Sequence, residues 1–485
     1  MEPEKMTENR NLFEQLHNYG QSDYYPYHMP GHKRRQLGSM PQQLLKADIT
    51  EIDGFDNLHQ PEGILLDLQK QAATLYGADE TYYLVNGSTC GILSAVSAVL
   101  PEGGHLLMAR GCHKSAYHAV YLRKLRVTYL YAKQLAEFDF QEAITASQVE
   151  EALEREPDIG AVLIVSPTYE GRIADIAAIA RVVHKRGIPL IVDEAHGAHL
   201  GFASGWAPNS CKQGADLVIH SVHKTLPSMT QTALLHVNGT LVDRLRLRRF
   251  LHIYQTSSPS YILMASIGDA MEVMRKQGAE LLEQFRQNYL DMCKKLQQCR
   301  QLKFIPYEDV VSTKHDMGKL IISTGNAGVS GQWLYDTLRE QYHLQCEMSA
   351  GSYCLAMFTL ADIKEGYERM TQALLEIDEL IVQKKTDSME VCEWKPVHYP
   401  LQEPQIVCSL AECWEQEWEL TEVSCAINKT VADFINLYPP GIPLLVPGEV
   451  LTQELYEQLC EYMALKLNIQ GIVEKDNQIL IPTLK

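Results

Sequence analysis

Short apolar runs alternate with amphipathic stretches over the middle of the chain. Ala161-Val-Leu-Ile-Val-Ser166, Pro189-Leu-Ile-Val-Asp193 and Asp216-Leu-Val-Ile-His-Ser221 each read as a buried strand, and His105-Leu-Leu-Met-Ala109 is a further apolar run. Between the first two lies a helical pattern, Asp175 to Lys185, closed by Gly187 and Pro189. Glu62 to Tyr76 also has helical spacing, and Thr89 to Leu100 reads as a helix of small residues. Near-continuous apolar strands separated by helices predict a mostly parallel sheet flanked by helices on both faces, an α/β architecture.

The pattern then changes. Gly278 to Cys299 predicts a long helix leading into a second unit of mixed strands and helices: Lys319-Leu-Ile-Ile-Ser323, Gln332 to Tyr342, and Asp362 to Val382. A polar break falls at Lys384-Lys385-Thr386-Asp387-Ser388. A Pro-rich segment, Tyr438 to Glu449, then precedes a helix and a closing hairpin around Asp476-Asn477. The expected division is an N-terminal arm (1–45), a large domain (46–276), a small α+β domain (277–388) and a C-terminal α+β domain (389–485).

Composition narrows the function. The chain has 485 residues, 46% hydrophobic and 21% charged, as for an ordinary globular protein. Its formal net charge of −18 argues against nucleic acid or an anionic membrane as the main partner. No stretch reaches the roughly 18 apolar residues of a membrane span, and the polar start has no leader pattern, so a cytoplasmic location is expected. The 12 cysteines are scattered without a Cys-x-x-Cys pair, Cys408 and Cys413 coming nearest. Neither a disulfide framework nor a metal site is expected.

Candidate chemistry sits at the strand ends, where open α/β sheets bind ligands. Gly87, Ser88 and Thr89 open the small-residue helix, and their hydroxyls and free N–H groups suit a phosphate; a plain helix cap is the simpler alternative. Asp193 ends one strand, followed by Glu194-Ala195-His196-Gly197-Ala198-His199, placed for a cationic ring nitrogen or again for a cap. His196 and His199 have a metal-like spacing but no clear third ligand. Ser221-Val222-His223-Lys224 ends the next strand. Lys224 is either a surface lysine or an amine sharing a crevice with Asp193, able to join an aldehyde. His113, in Cys112-His113-Lys114-Ser115, is a stacking or proton-shuttling candidate or an ordinary loop histidine. Taken together, a phosphate cradle, a strand-end carboxylate, a strand-end lysine and a stacking histidine are what pyridoxal 5′-phosphate (PLP) requires. Lys224 would hold the aldehyde, and Asp193 would keep the ring nitrogen protonated.

On these motifs the chain resembles the Orn/Lys/Arg decarboxylases, PLP enzymes of fold type I. The resemblance is carried by Ser221-Val-His-Lys-Thr-Leu-Pro-Ser-Met-Thr-Gln231, Val192-Asp-Glu-Ala-His-Gly-Ala-His199, His28-Met-Pro-Gly-His-Lys33, Cys112-His-Lys-Ser115, Asp56-Asn-Leu-His59 and Tyr438-Pro-Pro-Gly-Ile-Pro443. It implies that Lys224 is the Schiff-base lysine, that Asp193 pairs with the pyridine nitrogen and that His113 stacks on the ring. It also implies that Ser88, Thr89, Ser221 and His223 hold the phosphate and that His196 lies near the ring hydroxyl. The implied activity is α-decarboxylation of arginine, lysine or ornithine to agmatine or a diamine, in a homodimer with shared active sites. The Ser257-Ser-Pro-Ser260 segment is then expected near the partner's phosphate.

The chain departs from the family pattern in two places. His28-Met-Pro-Gly-His-Lys33 comes so early that the N-terminal wing of the long members is not expected. Leu226-Pro227 follow the lysine where many short members have smaller residues, which reshapes the expected pocket. Two other functions stay open: a different PLP reaction (an aminotransferase or an aldolase-type lyase) and a cofactor-free regulatory relative. The absence of Arg from residues 340–368 disfavours transamination, because aminotransferases of this fold usually clamp the α-carboxylate with an arginine of the small domain.

Overall fold

The computed structural model describes residues 11–135, 138, 140–386, 404–437, 442–465, 467–476 and 478–485. Parts of three sequence features lie outside these residues: the break after Thr386, Tyr438 to Ile442 at its first four positions, and Asn477 of the closing hairpin.

Seven strands form the central sheet: β1 (Glu80–Leu84), β2 (His105–Ala109), β3 (Arg126–Leu130), β4 (Ala161–Val165), β5 (Leu190–Asp193), β6 (Leu217–Ser221) and β7 (Ala233–Val237). Their order is β1-β7-β6-β5-β4-β2-β3. All neighbours run parallel except β7, which is antiparallel to both β6 and β1. Val, Ile and Leu fill β4 to β6 because helices cover both faces of the sheet. Helices Gly87–Val99 and Ile176–His184 each start within three residues of the expected position.

The carboxyl ends of β1, β2, β4, β5 and β6 lie along one edge, since these strands share a direction. The reversed β7 is not evident from hydrophobicity. Its link from β6 is shorter than the dozen or more residues a parallel crossover needs, so an antiparallel return is the accessible geometry.

The long helix is longer than expected. It begins at Tyr261 instead of Gly278 and runs 36 residues to Leu296. Ser260 caps it by accepting from the Leu263 N–H, and apolar residues Tyr261 to Met274 bury its first turns against the large domain. A position expected to divide two domains, between 276 and 277, therefore lies inside one continuous helix.

The second sheet is antiparallel: β8 (Lys303–Phe304), β9 (Lys319–Ser323), β10 (Met348–Ser349) and β11 (Tyr353–Met357), in the order β8-β9-β11-β10. The C-terminal part carries two three-stranded sheets around its own small core, which includes Val423, Ile435, Leu445 and Ile481. It docks on the central sheet through buried Arg110, which donates to Glu449 Oε2 (3.0 Å) and to the Pro443 carbonyl (3.0 Å). The α/β fold, with its small and C-terminal α+β additions, matches the expectation.

Candidate active site

Five strand ends bring the chemistry together. After β1, the chain turns through Gly87, whose left-handed backbone (φ +71°) starts the helix Gly87–Val99. The Gly87 N–H is used by the Gln231 carbonyl at 2.9 Å. Asn86 stands at the cap position, but its side chain makes no hydrogen bond to the helix. Ser88 does not cap either; its Oγ lies 2.6 Å from Ser221 Oγ, at the end of β6. Thr89 beside it is exposed. The helix thus presents backbone donors and a hydroxyl pair to one spot, as an anion cradle requires. The Thr256 N–H donates to Asn86 Oδ1 (3.3 Å), which brings the segment before Ser257-Ser258-Pro259-Ser260 beside this turn of its own chain.

At the end of β5, Asp193 is buried and accepts from the Ala195 N–H at 3.1 Å. Burial pushes its carboxyl up, against the pull of Lys224 and the Ala195 N–H. Lys224, one turn past β6, is half-buried. Burial lowers its amine, while Asp193 and Glu347 act in the other direction. His113 begins the helix Lys114–Leu122 and accepts from the Ser115 N–H through Nδ1 (3.2 Å), so its ring proton is on Nε2. Burial first, and Lys224 next, pull it down to about 4. His223 Nδ1 lies 2.9 Å from the Thr232 carbonyl, an oxygen that only accepts, so this nitrogen carries a proton. Burial lowers His223 as well. The structure therefore gathers Ser88, His113, Asp193, His196, Ser221, His223 and Lys224 in one cleft.

His196 and His199 part company. His196 is buried between lysine amines, with Lys224 Nζ 2.9 Å from its Nε2. His199 turns to Asp316 Oδ1 at 2.9 Å. The two do not converge on a common point, and the lysines around His196 would repel a metal cation.

Four residues not singled out as site residues in the sequence border the cleft: Tyr169, Glu170, Lys319 and Tyr353. Tyr169 packs edge-on against His196, with ring centroids 5.1 Å apart, and donates to Glu347 Oε1 at 2.7 Å. Behind it lies a cavity of about 270 Å³ lined by residues including Gly111, Tyr131, Glu170, Met348 and Tyr353. Tyr353 donates to Glu170 Oε1 at 3.2 Å. Met348 of the Glu347-Met348-Ser349 stretch lines this cavity. A lysine opening an otherwise apolar strand was the available signal for Lys319.

The donor set suits PLP: an uncapped helix start with paired hydroxyls, a neutral histidine, a buried carboxylate without a fixed cation on it, and a half-buried lysine. Fold and site together define a PLP fold-type-I architecture. The Orn/Lys/Arg decarboxylase major domain matches residues 10–362, and the C-terminal domain of the same enzymes matches residues 399–471. The chain belongs to the Orn/Lys/Arg decarboxylase family. It is 29% identical over 471 residues to an arginine decarboxylase of Bacillus anthracis, covering 95% of this chain and 94% of that one. It is 30% identical to an arginine decarboxylase of Halalkalibacterium halodurans, covering 92% and 91%. Among solved structures, a lysine decarboxylase of Francisella novicida superposes with a TM-score of 0.83 at 17% identity, covering 98% of this chain and 81% of the other.

Proposed function

We propose that this chain is a PLP-dependent carboxy-lyase that removes the α-carboxylate of a basic amino acid, with arginine the first candidate and lysine the next. The observation that carries this is the convergence of Lys224, Asp193 and His113 from three strand ends. When bound, PLP supplies a carbonyl for amine exchange and an electron sink for the bond that loses carbon dioxide.

The chain's residues do the rest. Lys224 is the amine that would hold PLP in the absence of substrate. Ser88, Thr89, Ser221 and His223, with the backbone N–H groups of Ser88 and Thr89, anchor the phosphate. Asp193 holds a proton on the ring nitrogen, and a cation there relieves the cost of burying its carboxylate. His113 covers the ring, its low basicity keeping it an uncharged stacking partner. Glu170, which lines the cavity, and Glu347, which accepts from Tyr169 beside it, are the carboxyl groups offered for the substrate's distal cation, and the arginine decarboxylases among the relatives support a basic substrate.

The same reading carries a cytoplasmic homodimer with shared sites. Tyr24, Tyr25 and Tyr27 are 70%, 65% and 90% exposed, an apolar surface that a second copy would cover. Among the described residues, no helix is long and apolar enough to cross a membrane.

The test is an equal mixture of arginine, lysine and ornithine with the purified protein and PLP, with products identified by mass spectrometry. Agmatine or a diamine with carbon dioxide is expected. A keto acid would instead favour transamination, and a protein that never takes up PLP would favour a regulatory role.

A further inference from the structure

The turn that carries His113 is tied at its base by one buried side chain. Arg110 follows directly on β2 and is buried. Its Nη1 donates to Tyr117 Oη at 2.9 Å, and that hydroxyl donates in turn to the carbonyl of Arg110 itself at 2.6 Å. The roles are fixed, because a guanidinium only donates and a carbonyl only accepts. These two bonds close a ring from residue 110 to residue 117, and Gly111, Cys112 and His113 lie inside it. Tyr117 belongs to the helix Lys114–Leu122 that His113 begins. Strand end and helix are thus held at one spacing, with the histidine on the turn between them.

The other donors of Arg110 leave the large domain. Nη1 also donates to the Pro443 carbonyl (3.0 Å), and Nη2 donates to the Leu444 carbonyl (3.3 Å) and to Glu449 Oε2 (3.0 Å). All three acceptors belong to the C-terminal part. Glu449 is 1% exposed, and the same oxygen accepts from the Val446 N–H at 2.8 Å. A buried guanidinium needs an anion beside it, so Glu449 fixes where Arg110 rests. The rings of Tyr117 and Tyr129 lie against the guanidinium, at 5.7 and 5.6 Å from its carbon.

His113 cannot do this for itself. Its Nδ1 accepts from the Ser115 N–H (3.2 Å) and lies 2.9 Å from Ser115 Oγ, two residues away on the same turn. Those contacts set the imidazole on its helix and leave open how the helix stands against the sheet. Asp193, the proposed partner of the ring nitrogen, sits on that sheet at the end of β5. A stacking ring contributes only at contact distance, so the spacing between helix and sheet matters to the cofactor.

We infer that Arg110, Tyr117 and Glu449 are positioning residues for His113, and that through them the C-terminal part of the chain holds the turn that covers the cofactor. This rests on His113 covering the PLP ring, as proposed above.

The test reads release of PLP from the intact holoprotein, not turnover. The holoprotein is diluted into alkaline phosphatase, which destroys free PLP, and the decay of the visible absorption band gives the release rate. His113→Ala is expected to speed release about tenfold, near the upper end for a ring-stacking contact. Tyr117→Phe removes one hydroxyl and keeps the ring; Glu449→Gln removes the anion and keeps the shape. Each should speed release about three- to tenfold by itself. Added to His113→Ala, each should change the rate by less than about twofold, because no stacking ring is left to misplace. Effects that multiply in the double variants would mean that these residues serve the fold at large, and would overturn the inference. So would single variants that release PLP at the wild-type rate. Hydrogen–deuterium exchange of the full chain cleared of PLP gives a readout without cofactor. Peptides spanning residues 110–116 should exchange faster in Tyr117→Phe and in Glu449→Gln, and peptides from β5 and β6 should not change. Unchanged exchange over 110–116 also overturns the inference. If His113→Ala leaves release unaltered, the reading of His113 fails and this one falls with it. If His113→Ala speeds release and the double variants multiply, only the positioning role is lost.

Discussion

Lys224, Asp193 and His113 differ in what their loss should do, because each touches a different part of the proposed chemistry. Lys224→Ala should abolish turnover, the yellow colour of the bound cofactor and the stable covalent adduct that borohydride reduction leaves. Asp193→Ala should lower kcat about 10²–10³-fold, the usual cost of removing one preorganised charge from a reacting centre. His113→Ala should weaken PLP retention and slow turnover less. Steady-state kinetics with a PLP-release assay orders the three; near-normal turnover in Asp193→Ala would sink the ring-nitrogen role. Asp193, Ser221 and Lys224 were legible in the sequence because a polar residue ending an apolar strand stands out against its neighbours. Lys319 and Glu170 were not singled out. Their significance comes from contact across sheets, since Lys319 is near His196 only once β9 packs beside the central sheet.

Helices and strands were legible where their period was strong, and less so at their ends. The helix Tyr261–Leu296 runs earlier than its amphipathic part because its first turns are buried within the large domain and carry no polar face. Its far end is pinned by Asp378, on the helix Lys364–Thr386, which accepts from the N–H groups of Arg300, Gln301 and Leu302, each at 2.8 Å. Asp378→Ala leaves these donors without their carboxylate in a mostly buried place. A loss of about 1–3 kcal/mol is expected, read as a lower urea midpoint. An unchanged midpoint would mean that water replaces the carboxylate without cost. The direction of β7 was not legible either, because Ala-Leu-Leu-His-Val has the same apolar profile whichever way it runs.

Buried histidines set the acid behaviour of the whole molecule. Burial pulls His113 and His315 down to about 4 each. In the unfolded chain both titrate near 6.5. Between these values the unfolded state binds more protons, so stability falls as pH drops from 6.5 through 4. The buried pair Glu194 and His220, 2.7 Å apart, shifts in opposite directions because burial favours both uncharged forms, and their contributions largely offset. The urea midpoint is therefore expected to be lower at pH 5 than at pH 7. An equal or higher midpoint at pH 5 would show that these histidines are already protonated in the folded chain.

The sequence by itself determined the α/β pattern, most of the helices and strands, and the polar residues at the strand ends, because these depend on local periodicity and on short motifs. Tertiary structure alone decided the reversed seventh strand, the parting of His196 from His199, and the meeting of two lysines on one imidazole. Those features arise from residues far apart in the chain, and nothing in a linear pattern records which side chains packing will bring within hydrogen-bond distance.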